Sequence, residues 1–124
     1  MDPRILAVVF LAVMASALGC FVQAYRVRRT TPRHLRFAIA GTVIDVAGTL
    51  GVLLTHRVLG WQVPNHDPTV ALVHRGCAYA VTVLLAVQVV GGVRRWTLHK
   101  RLGLPFVLLY AVTYALAVVA YAPR

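Results

Sequence analysis

The residues best suited to chemistry in this chain are five histidines and one carboxylate set far from any other charge. His34 and His56 bracket one apolar run, His74 opens the next, and His99 precedes the last. His66 lies beside Asp67 in the segment between His56 and His74. Asp45 falls midway between His34 and His56, inside the apolar run itself. Imidazole is a common axial ligand of haem iron and a good ligand for copper. A bis-His haem b requires one imidazole from each of two facing helices, apolar walls, small residues beside the ring and basic groups near its propionates.

The elements that must position these groups are membrane spans. The chain has 124 residues, of which 60% are hydrophobic and 13% charged. Apolar runs at about 5–25, 35–57, 70–93 and 99–121 are each long enough to cross ~30 Å of hydrocarbon at 1.5 Å per residue. Short connections force neighbouring spans antiparallel. The expected fold is therefore an all-α membrane protein, an antiparallel up-down four-transmembrane-helix bundle forming one domain over residues 1–124.

The net charge of +10 suggests nucleic acid until its placement is considered. Arg26, Arg28, Arg29, Arg33 and Arg36 fall in the first connection, and Arg94, Arg95, Lys100 and Arg101 in the third. The positive-inside rule puts that end in the cytoplasm of a bacterial inner membrane, with both termini periplasmic or extracellular. The expected partners are membrane lipid and other membrane subunits, with no nucleic acid. Trp61 and Tyr79 are expected to anchor the outer interface and Trp96 the inner one. Cys20 and Cys77 lie at opposite depths, which excludes a disulfide between them. Arg26, Arg28 and Arg29 directly follow the first span, so it reads as a span rather than a cleaved signal peptide.

At 100° per residue, His34, Gly41, Asp45, Gly48, Gly51 and His56 share one face of the second span. His74, Ala78, Gln88 and Gly92 share a face of the third, and His99, Gly103, Tyr110, Thr113 and Ala117 of the fourth. Ala12, Ser16, Gly19 and Gln23 form a weaker stripe on the first. Small and polar residues on one face mark a helix–helix interface, which accounts for most of the glycines, for Ser16 and for Thr113.

The histidines fall at paired depths. His34 and His99 lie at the cytoplasmic boundary, with Arg33 and Arg36 nearby. His56 and His74 lie at the outer boundary, with Arg57 and Arg75 nearby and His66 in the adjoining loop. Each pair supplies what a haem b needs, and His56, His66 and His74 form an alternative copper set. His34 and His56 are about 33 Å apart along one helix at 1.5 Å per residue, so two haems would sit near the two surfaces, or only one site is filled. His74→Ala and His99→Ala are each expected to lose bound cofactor while keeping membrane insertion. Asp45, at the bilayer centre, faces inward, bonds to Tyr110 at similar depth or joins a proton or quinone site. A lone interfacial histidine that bonds a headgroup or a backbone carbonyl is the plainer reading of each imidazole.

The residues His34, His56, His74 and His99, followed by Lys100-Arg101, Pro105, Tyr110 and Thr113, resemble the CtaM-type family of small four-helix bacterial membrane proteins linked to assembly of haem–copper oxidases. The resemblance covers about residues 33 to 121. The arrangement is also similar to small transmembrane b-type cytochromes. The interval from His99 to Pro105 and Tyr110 is shorter than that family's, and Asp45 belongs to no motif of it. The resemblance implies a role around respiratory terminal oxidases, without choosing between haem and copper.

Three functions follow as expectations. The first is a haem b-binding electron-transfer subunit of a respiratory or related redox complex, exchanging electrons with quinone or cytochrome c. The second is an oxidase assembly or auxiliary subunit with an outer copper cluster. The third is a packing subunit of a larger membrane complex. No phosphate-binding loop, Cys-x-x-Cys or Cys-x-x-Cys-His is present, and no catalytic residue is assigned. The second and fourth spans open alike, at Pro32-Arg33-His34-Leu35-Arg36 and Thr97-Leu98-His99-Lys100-Arg101. The third span also opens with a histidine and the first has none, so the pattern is not read as an internal repeat.

Overall fold

In the computed structural model, residues 2–123 are described and four helices account for most of them. They are α1 (Pro3–Arg26), α2 (Thr31–Arg57), α3 (Pro68–Val93) and α4 (Thr97–Tyr121). All four are long and apolar enough to cross a membrane. The helices begin two to four residues before the expected spans because their start signals lie in the connections. Asp2 accepts the backbone N–H of Arg4 at 2.8 Å, with Pro3 in the first turn. Asp67 accepts those of Thr69 and Val70 at 2.9 and 3.0 Å, with Pro68 in the same place. A carboxylate cap followed by proline satisfies donors that the helix cannot and presets the backbone for the first turn.

Residues 27–30 and 94–96 make tight turns, so α1–α2 and α3–α4 are antiparallel hairpins. The second turn closes on Arg95 at φ 56°. Around it Trp96 N–H donates to Gly91 O at 2.8 Å and Arg95 N–H to Gly92 O at 3.2 Å. This is the Schellman pattern, whose left-handed position normally holds glycine. Both turns lie at the arginine-rich end of the bundle, called here the basic end. At the opposite end, His66 N–H donates to Ala120 O at 2.9 Å and ties the α2–α3 connection to the end of α4.

Each hairpin packs tightly within itself, and α1 packs against α4 to join the two; no comparable interface joins α2 to α3 among the described residues. The junction is aromatic. Phe21 of α1 meets Phe106 edge-on at 4.9 Å between centroids and Tyr110 at 5.2 Å. Gly41 makes room for it: a Cβ there would stand 2.8 Å from Phe21 Cε1. Gly48 does the same for Val13, at 2.7 Å. Lipid is as apolar as leucine, so such close packing, rather than burial from water, holds the helices together. The buried line of α1 is Ala17, Phe21 and Ala24. Ala12, Ser16 and Gly19 are exposed, so the stripe expected on α1 is not its packing face; the ring that fits Gly41 fixes which side turns inward.

The likeness between the starts of α2 and α4 extends back through the first helix of each hairpin. Residue n of α1–α2 answers to residue n + 65 of α3–α4, the same interval that separates Asp45 from its partner Tyr110. Asp2-Pro3 matches Asp67-Pro68, Gln23 matches Gln88, Arg29 matches Arg94, His34 matches His99, and Arg36 matches Arg101. The helix starts follow, Pro3 with Pro68 and Thr31 within one residue of Thr97. This corrects the expectation of no internal repeat. The bundle is two like hairpins side by side, in the manner of parallel repeats about an axis along the membrane normal.

Candidate functional site

His34 stands in the first turn of α2 and is half-buried. Its Nδ1 lies 2.9 Å from the carbonyl oxygen of Ala24, near the end of α1. His99 stands in the first turn of α4, and its Nδ1 lies 3.0 Å from the carbonyl oxygen of Gln88, near the end of α3. A carbonyl only accepts, so each Nδ1 carries the proton and donates. In the neutral ring that leaves Nε2 with a free lone pair, the tautomer a metal ligand requires. Each hairpin thus orients its own imidazole with its own first helix.

The two rings face one another across the hairpins with centroids 6.0 Å apart and planes at 72°. Two imidazoles on opposite sides of one metal, with bonds of about 2.0–2.1 Å and ring radii of about 1.2 Å, have centroids about 6.4 Å apart. The observed separation is close to that value and looser than direct edge contact.

Two further features fit a bound group. The side chain of Gln88 is 8% exposed, and neither its Nε2 nor its Oε1 has a hydrogen-bond partner. A buried orphan amide costs about 1–3 kcal/mol, so it marks a place where a partner is expected. Gly91 and Gly92 make the cradle of the His99 ring. A Cβ at Gly92 would stand 3.3 Å from His99 Cε1, and one at Gly91 3.2 Å from its Cβ.

Deeper in the same α2–α4 contact, Tyr110 Oη donates to Asp45 Oδ1 at 2.5 Å. Asp45 is partly buried, while Tyr110 is 2% exposed. His34 with His99 and Asp45 with Tyr110 are both pairs of equivalent positions. Equivalent positions of the two hairpins thus meet twice in the α2–α4 contact.

The outer set is arranged differently. His74 Nδ1 lies 3.0 Å from Thr113 O, and its ring stands 5.6 Å from that of Tyr121. Both contacts stay within the α3–α4 hairpin. His56 and His66 are exposed, and no ring pair joins His56 to His74. His66 lines a cleft of about 190 Å³ with Arg4, Pro64 and Tyr121. Among the described residues no three of His, Cys, Asp and Glu converge as a metal-holding group. The register explains this. The equivalent of His56 is Tyr121 and that of His74 is Val9, so the outer histidines do not occupy equivalent positions of the two hairpins.

Of the expected basic residues, Arg33 and Arg36 line an open cleft of about 590 Å³ on the α1–α2 hairpin with Gln23, Val27, Phe37 and Ala40. Arg57 and Arg75 are exposed at the other end. Cys20 and Cys77 are free. Residue-by-residue reading missed the carbonyls of Ala24 and Gln88 as ring anchors, Tyr121 as the partner of His74, and Gln23 as the counterpart of Gln88. Comparison of the chain with itself at one fixed offset finds the last of these.

The fold and composition define a multi-pass, all-helical membrane protein. Compared with known protein families, curated proteins and solved structures, the chain matches none.

Proposed function

We propose that the chain is a haem b-binding electron-transfer subunit of a respiratory or related redox complex, with His34 and His99 as the axial pair. The observation that carries this reading is the opposed pair of imidazoles, 6.0 Å between centroids, each with Nδ1 held by a backbone carbonyl of its own hairpin. Haem b bound there supplies reversible one-electron transfer. Ala24 and Gln88 fix the tautomer and the ring orientation, which leaves both Nε2 lone pairs free and in place. The arginines and Lys100 of the basic end offset propionate charge. Asp45 and Tyr110 hold α2 to α4 further along the same contact and so maintain the spacing between the rings.

The setting follows from charge. The positive-inside rule places the basic end in the cytoplasm of a bacterial inner membrane and both termini outside. The CtaM-type resemblance supports partners among the membrane subunits of terminal oxidases, with quinone or cytochrome c as electron source or sink.

The test is to load the purified full chain with haem in detergent and record its spectrum. The reading predicts binding that saturates at one haem per chain, with a Soret band and sharp α and β bands on reduction. A chain that stays colourless after loading contradicts it, and one that instead retains copper transfers the site to the copper reading.

A further inference from the structure

The two like hairpins do not meet alike on their two sides. On one side α1 packs against α4; on the equivalent side, α3 against α2, there is no comparable interface among the described residues. The repeat shows what differs. Ala17, Phe21 and Tyr25 of α1 answer to Thr82, Ala86 and Val90 of α3. Phe106 and Tyr110 of α4 answer to Gly41 and Asp45 of α2. Four aromatic rings on the closed side are replaced by two small residues, a valine and a carboxylate on the open side.

Burial follows. Ala17 and Phe21 are 0% and 5% exposed, whereas Thr82 and Ala86 are exposed and Val90 is 43% exposed. At the depth of the histidines, the closed side is filled by the Tyr25 ring, which stands 3.6 Å from where a Cβ on Gly103 would be. Its counterpart Val90 leaves that space open on the other side.

From this we infer that the opening between α2 and α3 is the seat of a planar macrocycle, which enters from the lipid side. Ala86 and Val90 lie against its edge while His34 and His99 hold its metal. The inference rests on the haem reading above and adds the side of the bundle the ring occupies. The closed side excludes it, because Phe21, Tyr25, Phe106 and Tyr110 already fill that volume. The occupant is flat and apolar because the residues spared on the open side are aromatic rings at the level of a bis-imidazole pair.

The experiment uses the full chain and haem. A86F/V90Y refills the opening with the side chains of the closed side, and V73F adds bulk on another face of α3, about 140° from Ala86 and about 100° from Val90 at 100° per residue, where Val73 is 49% exposed. The proposal predicts that A86F/V90Y weakens haem binding by about tenfold or more, and that V73F leaves it unchanged. A second measurement needs no bulky substitution. In a C20A/C77A background, haem slows maleimide labelling of A86C and does not affect labelling of V73C. Haem binding by the parent chain with A86C unprotected and A86F/V90Y unimpaired overturns the seat and leaves the His34–His99 reading standing. Failure of the parent chain to bind haem overturns both.

Discussion

The two ends of this bundle carry the same chemistry in different registers. Each end has two histidines at matched depth on helices facing the interior, with arginines beside them. At the basic end the rings oppose each other across the two hairpins. At the other end His74 turns to Tyr121 and Thr113 of its own hairpin, and His56 is exposed. Depth and residue type are therefore not enough. Here the pair that converges, His34 and His99, occupies equivalent positions of the two hairpins, and the pair that does not, His56 and His74, occupies non-equivalent ones.

That comparison can be broken on purpose. Y121H sets a second imidazole beside His74, whose ring is 5.6 Å from that of Tyr121. The variant is expected to bind zinc about a hundredfold more tightly at the outer end than the parent chain, or ~2.7 kcal/mol, measured by competition with a chelating dye. No gain would mean that the outer end is closed to metals for reasons other than a missing partner. The next largest effect lies in the packing that fixes the register. Gly41→Ala drives a methyl against Phe21 and is expected to destabilise the bundle by about 1–3 kcal/mol in detergent unfolding. The same change at Gly19, where a Cβ meets nothing, is expected to be near neutral.

Smaller effects come from the polar contacts. Tyr110→Phe removes the donor to Asp45 and is expected to cost about 0.6 kcal/mol and at most about 1.7, the mean and the maximum for hydrogen bonds between membrane helices. An equal loss in haem affinity for this variant would tie the midplane bond to the spacing of the rings. The remaining change is a gain. Arg95 occupies the left-handed position of the α3–α4 turn, so Arg95→Gly is expected to stabilise the chain by about 1 kcal/mol. The equivalent residue of the first hairpin, Thr30, has φ −109°, and glycine there brings no such gain.

Much of the fold was readable without coordinates. Long apolar runs set apart by arginines and prolines define spans because the membrane permits few other arrangements. The inner pair was readable too, since His34 and His99 each open a span at the basic end. The outer pairing was not, because helical periodicity gives the face of a helix and not which neighbour that face meets. The packing face of α1 is likewise not given by its small residues. Its small and polar residues, Ala12, Ser16 and Gly19, are exposed, while Phe21, an apolar residue with no periodic mark, is the one that fits Gly41 and fills the junction. The repeat was present in the sequence throughout, but its identities are spread thinly, and only the matching caps and helix starts make the offset of 65 plain.

The most direct test is to count haem bound per chain in four alanine variants of the full-length protein, each loaded under the same conditions. The account predicts one haem for the parent chain, none for His34→Ala or His99→Ala, and one still for His56→Ala and His74→Ala. Loss of haem in the His56 or His74 variant, or its retention when His34 or His99 is removed, would contradict the pairing on which the account depends.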